Sequence, residues 1–202
     1  ALTAAGVAEG SLKIVLTRGV EGGRVPTGWV HGSPAPALDH ERAEGIRIVL
    51  LDRGYRHDVA RTSPWLLQGA KTISYALNRA AVREAVERGA DDVLFVSSDG
   101  YLLEGPTSTL LLRRGEALTT PRTELGILAG TTQSEIFAWA EGAGLRTGYE
   151  LLTPADLAAA DAAWFVSSLR RAVPIRAVDG APRPVDHELT ARIDAALRAR
   201  AR

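Results

Sequence analysis

Apolar and polar residues alternate over 11–18 (SLKIVLTR), with Leu12, Ile14 and Leu16 on one face, and this predicts a β-strand. The stretch from Gly19 to His40 is rich in glycine and proline and predicts a loop. GIRIVLLDR at 45–53 predicts a second strand. Gly54 to Gly69 has no clean period and is expected to be a domain junction, which divides the chain into 1–65 and 66–202. The spacing over 72–88 predicts a helix with Ile73, Leu77, Ala80, Ala81 and Val86 inward, and Gly89 as the residue that ends it.

Asp91 to Arg113 predicts a β-meander, with DDVLFVS as one strand, SDG as the turn, YLLEG as the second strand and STLLLRR as the third. LGILAG is an irregular loop. TTQSEIFAWAEGAG after it predicts a helix with a capping box from Thr132 to Glu135. Thr153 and Pro154 open a short helix as cap and first residue. AAWFVSS is a strand of the buried type, RAVPIRAVDG is extended, and an Ala/Arg helix closes the sequence from about His187.

Composition narrows the partners. Acidic and basic residues balance at 24 each, so no electrostatic driver exists for nucleic acid or a membrane surface. With no cysteine there is no disulfide or thiolate metal site, and His31, His40, His57 and His187 lack zinc spacing, so no metal is expected. No apolar run approaches the ~20 residues of a spanning helix. The N-terminal ALTAAGVAEG lacks the basic start of a signal peptide, and a cytoplasmic protein acting on a small molecule is expected. The sequence begins at Ala1 in mid-pattern without a methionine, so a shortened or processed form is expected.

Of the 24 basic residues only Lys13 and Lys71 are lysines. Lys71 stands beside the junction, just ahead of a helix, and clefts between domains favour ligands. A lysine, unlike an arginine, can lose its proton and form a Schiff base; composition alone favours an ordinary solvated residue, since most lysines lie at the surface. Glu104 ends the apolar run YLLE, where a buried carboxylate needs a cationic or protonated partner, or else it is a solvated strand end. Gly130, Thr131 and Thr132 place backbone N–H groups and hydroxyls at a helix start, which suits a phosphate or is simply a cap. Ser167 and Ser168 end a strand and either add hydroxyls to that anion or start a turn. His57 in GYRHD has no identifiable partner, and Asp91–Asp92 reads as a solvated turn.

Lysine, glutamate and phosphate-type helix start, in that order, resemble the class IV pyridoxal-phosphate enzymes: branched-chain and D-amino-acid aminotransferases and aminodeoxychorismate lyases. The resemblance is carried by KTISYALN (71–78), DDVLFVSSDGYLLEG (91–105), LTTPRTELGILAGTT (118–132) and AAWFVSSLRRAVPIRAVDG (162–180). It implies a mixed α/β fold of type IV, with part of an N-terminal α/β domain at 1–65 and a C-terminal pseudo-barrel cofactor domain at 66–202. It implies pyridoxal 5′-phosphate bound by Lys71 as the Schiff-base lysine, by Tyr75, by Glu104 at the pyridine nitrogen, and by Gly130, Thr131, Thr132, Ser167 and Ser168. SSLRRAVPI and Tyr75 are more similar to the lyases, and the lyase substrate carries two carboxylates, so Arg170 is the candidate to bind one. A homodimer is implied as well.

Three departures stand out. Thr109 takes the place of a usual asparagine, Gln133 takes that of an arginine, and the family's front segment with its phosphate-binding arginine has no counterpart in this sequence. A class IV aminotransferase and a non-catalytic scaffold of the same fold are the alternative readings.

Overall fold

The computed structural model describes residues 10–200. Contacts divide the chain into one unit ending at Ala37 and another beginning at Leu38. The first is an antiparallel hairpin of β1 (Gly10–Thr17) and β2 (Thr27–Pro34). The strand predicted at 11–18 is present, and Leu12, Ile14 and Leu16 are exposed while Val15 is buried. Gly19–His40 is not all loop. Gly28 and Gly32 hide the second strand from pattern reading, and the cross-strand ladder supplies what local propensity lacks.

In the second unit, β3 (Ile46–Asp52), β4 (Asp92–Val96), β5 (Thr109–Arg114), β6 (Ala117–Pro121), β7 (Arg146–Glu150), β8 (Ala162–Ser167) and β9 (Arg171–Val178) form a mixed sheet. The order is β4-β3-β9-β8-β5-β6-β7, with the short β10 (Ala181–Pro182) as an eighth strand paired to β9. The helices are α1 (Asp39–Glu44), α2 (Val59–Thr62), α3 (Ala76–Glu87), α4 (Thr131–Gly142), α5 (Pro154–Ala159) and α6 (His187–Arg200). The mixed α/β class expected from the sequence is the class observed.

The central strands are apolar throughout because both of their faces are covered. In β5, Leu110 and Leu112 join one core with Ile48, Leu94, Phe165 and Ile175. Leu111 points the other way, into a core that α4 supplies with Ile136 and Phe137 and α6 with Leu189 and Ile193. β8 alternates likewise, with Phe165 in the first core and Trp164 in the second. Trp164 Nε1 donates to Thr190 Oγ1 at 2.7 Å, which fixes α6 against the sheet.

Helix α3 connects the parallel pair β3 and β4, as a crossover must. It starts at Ala76 rather than 72, and of its predicted inward face only Ala81 is buried. Ala81 and Ala85 are buried against Val49, Val93 and Phe95, whereas Ile73, Leu77 and Val86 are exposed. Small residues let the helix sit close to the strands. Gly89 ends it at φ 76°, as expected. The capping box predicted from Thr132 to Glu135 does not form, because Gly130 is the cap and Thr132 already lies in the first turn. The box forms instead at α5, between Thr153 and Asp156. YLLEG is not a regular strand. It returns beside β4 through one bridge, Val96–Leu102, and the pair Phe95 N–H to Glu104 O and Leu103 N–H to Phe95 O.

Among the described residues, no helix is long and apolar enough to cross a membrane, and no histidine–carboxylate cluster fits a metal ion.

Candidate active site

The irregular return beside β4 positions Glu104. Leu102 and Leu103 enter the cores on the two sides of the sheet, which locks the backbone and leaves Glu104 at the edge of an opening. That opening is a cavity of about 640 Å³, within the range of small-molecule sites. Lys71, Tyr75, Glu104, Gly130, Thr131, Thr132, Ser167 and Ser168 all line it. These eight residues come from four stretches far apart in the chain: the approach to α3, the β4–β5 connection, the β6–α4 connection and the end of β8.

Lys71 lies in the extended segment before α3, exposed to the cavity. Tyr75 is the residue immediately before α3, at its N-cap. Burial pushes Glu104 up to about 7, against the opposing pull of the Leu128 N–H, Arg53 and Lys71. One of its oxygens, Oε2, accepts the Leu128 N–H at 3.2 Å. A carboxylate held there calls for a further positive or proton-donating partner.

At the far side, α4 starts at Gly130 with no side-chain cap, so its first N–H groups are available to an anion. A Cβ at Gly130 would stand 2.6 Å from Thr109 Oγ1, so only glycine allows this close approach. Thr132 is buried while Thr131 is exposed. Ser167 Oγ accepts the Arg170 N–H at 3.2 Å and orders the turn after β8.

Arg170 is not brought into the cavity. Its guanidinium pairs with buried Asp92, with Glu41 nearby, and Arg42 hydrogen-bonds its carbonyl. Asp92 is therefore no solvated turn residue. Its neighbour Asp91 takes both the backbone and the guanidinium of Arg47. His57 has a partner that sequence reasoning missed: Asp99 accepts its backbone N–H at 2.9 Å and contacts its ring, and Tyr101 stacks edge-on at 4.9 Å. The cluster ties the loop after β3 to the turn after β4 and does not line the cavity.

Other polar residues that line the cavity were not among the predicted site residues. Ser108 has a buried hydroxyl with no hydrogen-bond partner, an orphan that a ligand atom would satisfy. Thr109, at the place of the family's asparagine, faces Gly130. Arg53 and Asn78 also line the wall. Ser108 and Thr109 had a visible signal, the run Thr107–Ser108–Thr109 close after Glu104. Gln133 is buried, accepts Tyr149 Oη–H at 3.2 Å and leaves Nε2 unpaired.

A reactive amine, a buried carboxylate, an uncapped helix start, an orphan hydroxyl and a glycine-permitted approach fit an anionic, aromatic-nitrogen cofactor such as pyridoxal phosphate. Comparison with known proteins gives the family. Residues 1–178 match the family described as amino-transferase class IV. A Mycobacterium tuberculosis protein named bifunctional aminodeoxychorismate lyase / D-amino acid transaminase is 40% identical over 200 residues, which cover 94% of this chain and 69% of that one. The solved fold IV-transaminase CpuTA1 from Curtobacterium pusillum is 52% identical, with a TM-score of 0.94 over 99% of this chain and 67% of its own. The PLP-bound form of an aminotransferase from Mycobacterium tuberculosis is 40% identical, with a TM-score of 0.93 over 98% of this chain and 72% of its own.

Proposed function

The chain belongs to the amino-transferase class IV family, and we propose that within it the protein is a pyridoxal-phosphate-dependent lyase that converts 4-amino-4-deoxychorismate to 4-aminobenzoate and pyruvate. The observation that carries a cofactor-dependent reaction is the gathering of Lys71, Glu104 and the α4 start around one cavity of about 640 Å³. The lyase assignment is supported by the similarity to a relative named for that activity and by the lyase-like stretch SSLRRAVPI.

Bound in this cavity, pyridoxal phosphate supplies an electron-accepting ring for charge released at a substrate carbon. Lys71 would hold it by its aldehyde, Glu104 would face the ring nitrogen, and the N–H groups and hydroxyls at Thr131 and Thr132, with Ser108 and Ser167, would take the phosphate. Glu104 would keep a proton at that nitrogen by facing it with a carboxylate. Lys71 Nζ is the base placed to move the proton at the substrate carbon bearing nitrogen. Leu128 and Gly130 hold the two ends of the site at a fixed separation, because Leu128 binds Glu104 while Gly130 starts the helix.

A second reading is D-amino-acid transamination. Two observations favour it: the same relative carries both activities in its name, and Arg170, the expected binder of a second substrate carboxylate, is engaged by Asp92. Incubation with 4-amino-4-deoxychorismate in the absence of any keto acid separates the two. The lyase releases 4-aminobenzoate and pyruvate in equal amounts. Product formation only with an amino acid and a keto acid together supports the transaminase instead. A homodimer in the cytoplasm is part of the proposal, and sedimentation of the purified protein tests the dimer.

A further inference from the structure

Adjoining the main cavity is a second, smaller one of about 40 Å³, whose polar lining is Arg53, Tyr55, Arg56, Gln68, Asn78 and Glu104. That is room for one or two water molecules with several polar partners. Arg53 directly follows β3, and its guanidinium lies 4.5 Å from the centre of the Phe95 ring. It donates from Nη1 to Asn78 Oδ1 at 3.5 Å, and Asn78 donates in turn to the Pro106 carbonyl at 2.6 Å. The contacts of Arg53 are thus a ring and an amide, and the carboxylate whose charge it faces across the cavity is Glu104.

This arrangement is unusual for a half-buried guanidinium, which ordinarily pairs directly with an acid. Here the cation and the carboxylate make no direct ion pair, and both line the small cavity as well as the main one. We infer that Arg53 is the positioning residue that keeps Glu104 ionised, acting across the small cavity they share through ordered water. Its catalytic meaning rests on the cofactor reading above; its electrostatics do not.

The reason such a residue is needed is burial. A carboxylate sunk beside β4 is driven toward its neutral form, and a neutral Glu104 could not hold a proton on a ring nitrogen. Lys71 opposes this only in its protonated state, which changes as a base works. A guanidinium stays charged throughout. Phe95 stabilises that charge from the other face, and the Asn78–Pro106 link ties the cation to the segment that carries Glu104.

Arg53→Gln and Arg53→Lys test the inference. In the full chain without added cofactor, the carboxyl carbon of Glu104 is followed by NMR through a pH titration. Its midpoint is expected to move up by about one pH unit in R53Q and to stay near the wild type in R53K. With pyridoxal phosphate added, the pH dependence of the visible absorbance band is expected to shift the same way in R53Q alone, with kcat falling more than KM rises. An unmoved midpoint in R53Q, whatever its melting temperature, overturns the inference and leaves Arg53 a packing residue. If the wild type shows no visible band, the cofactor reading fails, while the NMR titration still decides the charge role. Should R53Q not fold, R53M, whose stem still covers Phe95, takes its place.

Discussion

The backbone N–H of Leu128 donates to Glu104 Oε2 at 3.2 Å. This bond joins the return beside β4 to the loop that becomes the start of α4 two residues later. The carboxylate and the helix N-terminus therefore keep a fixed spacing, as a rigid ligand with a basic nitrogen at one end and a phosphate at the other requires.

Burial of Glu104 makes stability depend on pH. Its folded value is raised to about 7, above the ordinary 4.5. The folded state thus keeps a proton that the unfolded state loses, so stability is full at low pH and falls as pH rises through 7. Glu104→Gln still accepts the Leu128 N–H but does not titrate. Without cofactor, the variant should gain on the wild type by about 3 kcal/mol between acid and pH 8 in denaturant unfolding. Parallel stability profiles would contradict the burial argument.

Gly130 is predicted to tolerate no side chain. Gly130→Ala brings a Cβ to 2.6 Å from Thr109 Oγ1, so binding of pyridoxal phosphate should weaken by about tenfold or more, equivalent to ~1.4 kcal/mol. Thr109→Ala removes that oxygen, and the double variant should recover part of the loss. Equal affinity for wild type and G130A, measured by fluorescence titration, would refute the close approach.

The chain's local chemistry was legible because it is written in short segments. Lys71, Glu104 and Gly130–Thr132 each stand at a break in a pattern, and the structure gathers them around one cavity. What was not legible depends on partners distant in sequence. Arg170 looked available until Asp92, 78 positions away, claimed it. Ile73 and Val86 looked like a core face, but the crossover needed Ala81 and Ala85 there. Strand β2 was hidden by its glycines, since only pairing with β1 makes it a strand. His57 lacked a visible partner because Asp99 lies 42 residues on.

Arg170 is expected to matter for folding rather than for substrate. Arg170→Ala leaves the Asp92 carboxylate buried at 2% exposure without its cation, a loss of about 3 kcal/mol. KM should stay within about a factor of two, as for a residue that removes no binding contact. A large rise in KM with unchanged stability would restore it as a substrate residue.

The cap at α5 offers an independent check on the fold. Thr153 N–H donates to Asp156 Oδ2 at 2.8 Å, and Asp156 N–H to Thr153 Oγ1 at 3.4 Å. Hydrogen bonds from Thr153 hold the Asp156 carboxyl below its ordinary range. Its contribution is therefore present above the ordinary carboxylate value and lost as pH falls through the lower folded one. Thr153→Ala should cost about 1 kcal/mol at neutral pH and less near pH 3. A cost that does not change with pH would exclude the reciprocal cap.

Lys71 would hold the cofactor in the cavity it shares with Glu104 and the α4 start. The direct measurement is the visible absorbance of the purified full chain after pyridoxal phosphate is added and excess removed, for the wild type and for Lys71→Ala. The account predicts a protein-bound band near the visible edge in the wild type that borohydride reduction fixes to Lys71, and no such band in K71A. A band of equal strength in K71A, or a folded wild type with no band, would contradict it.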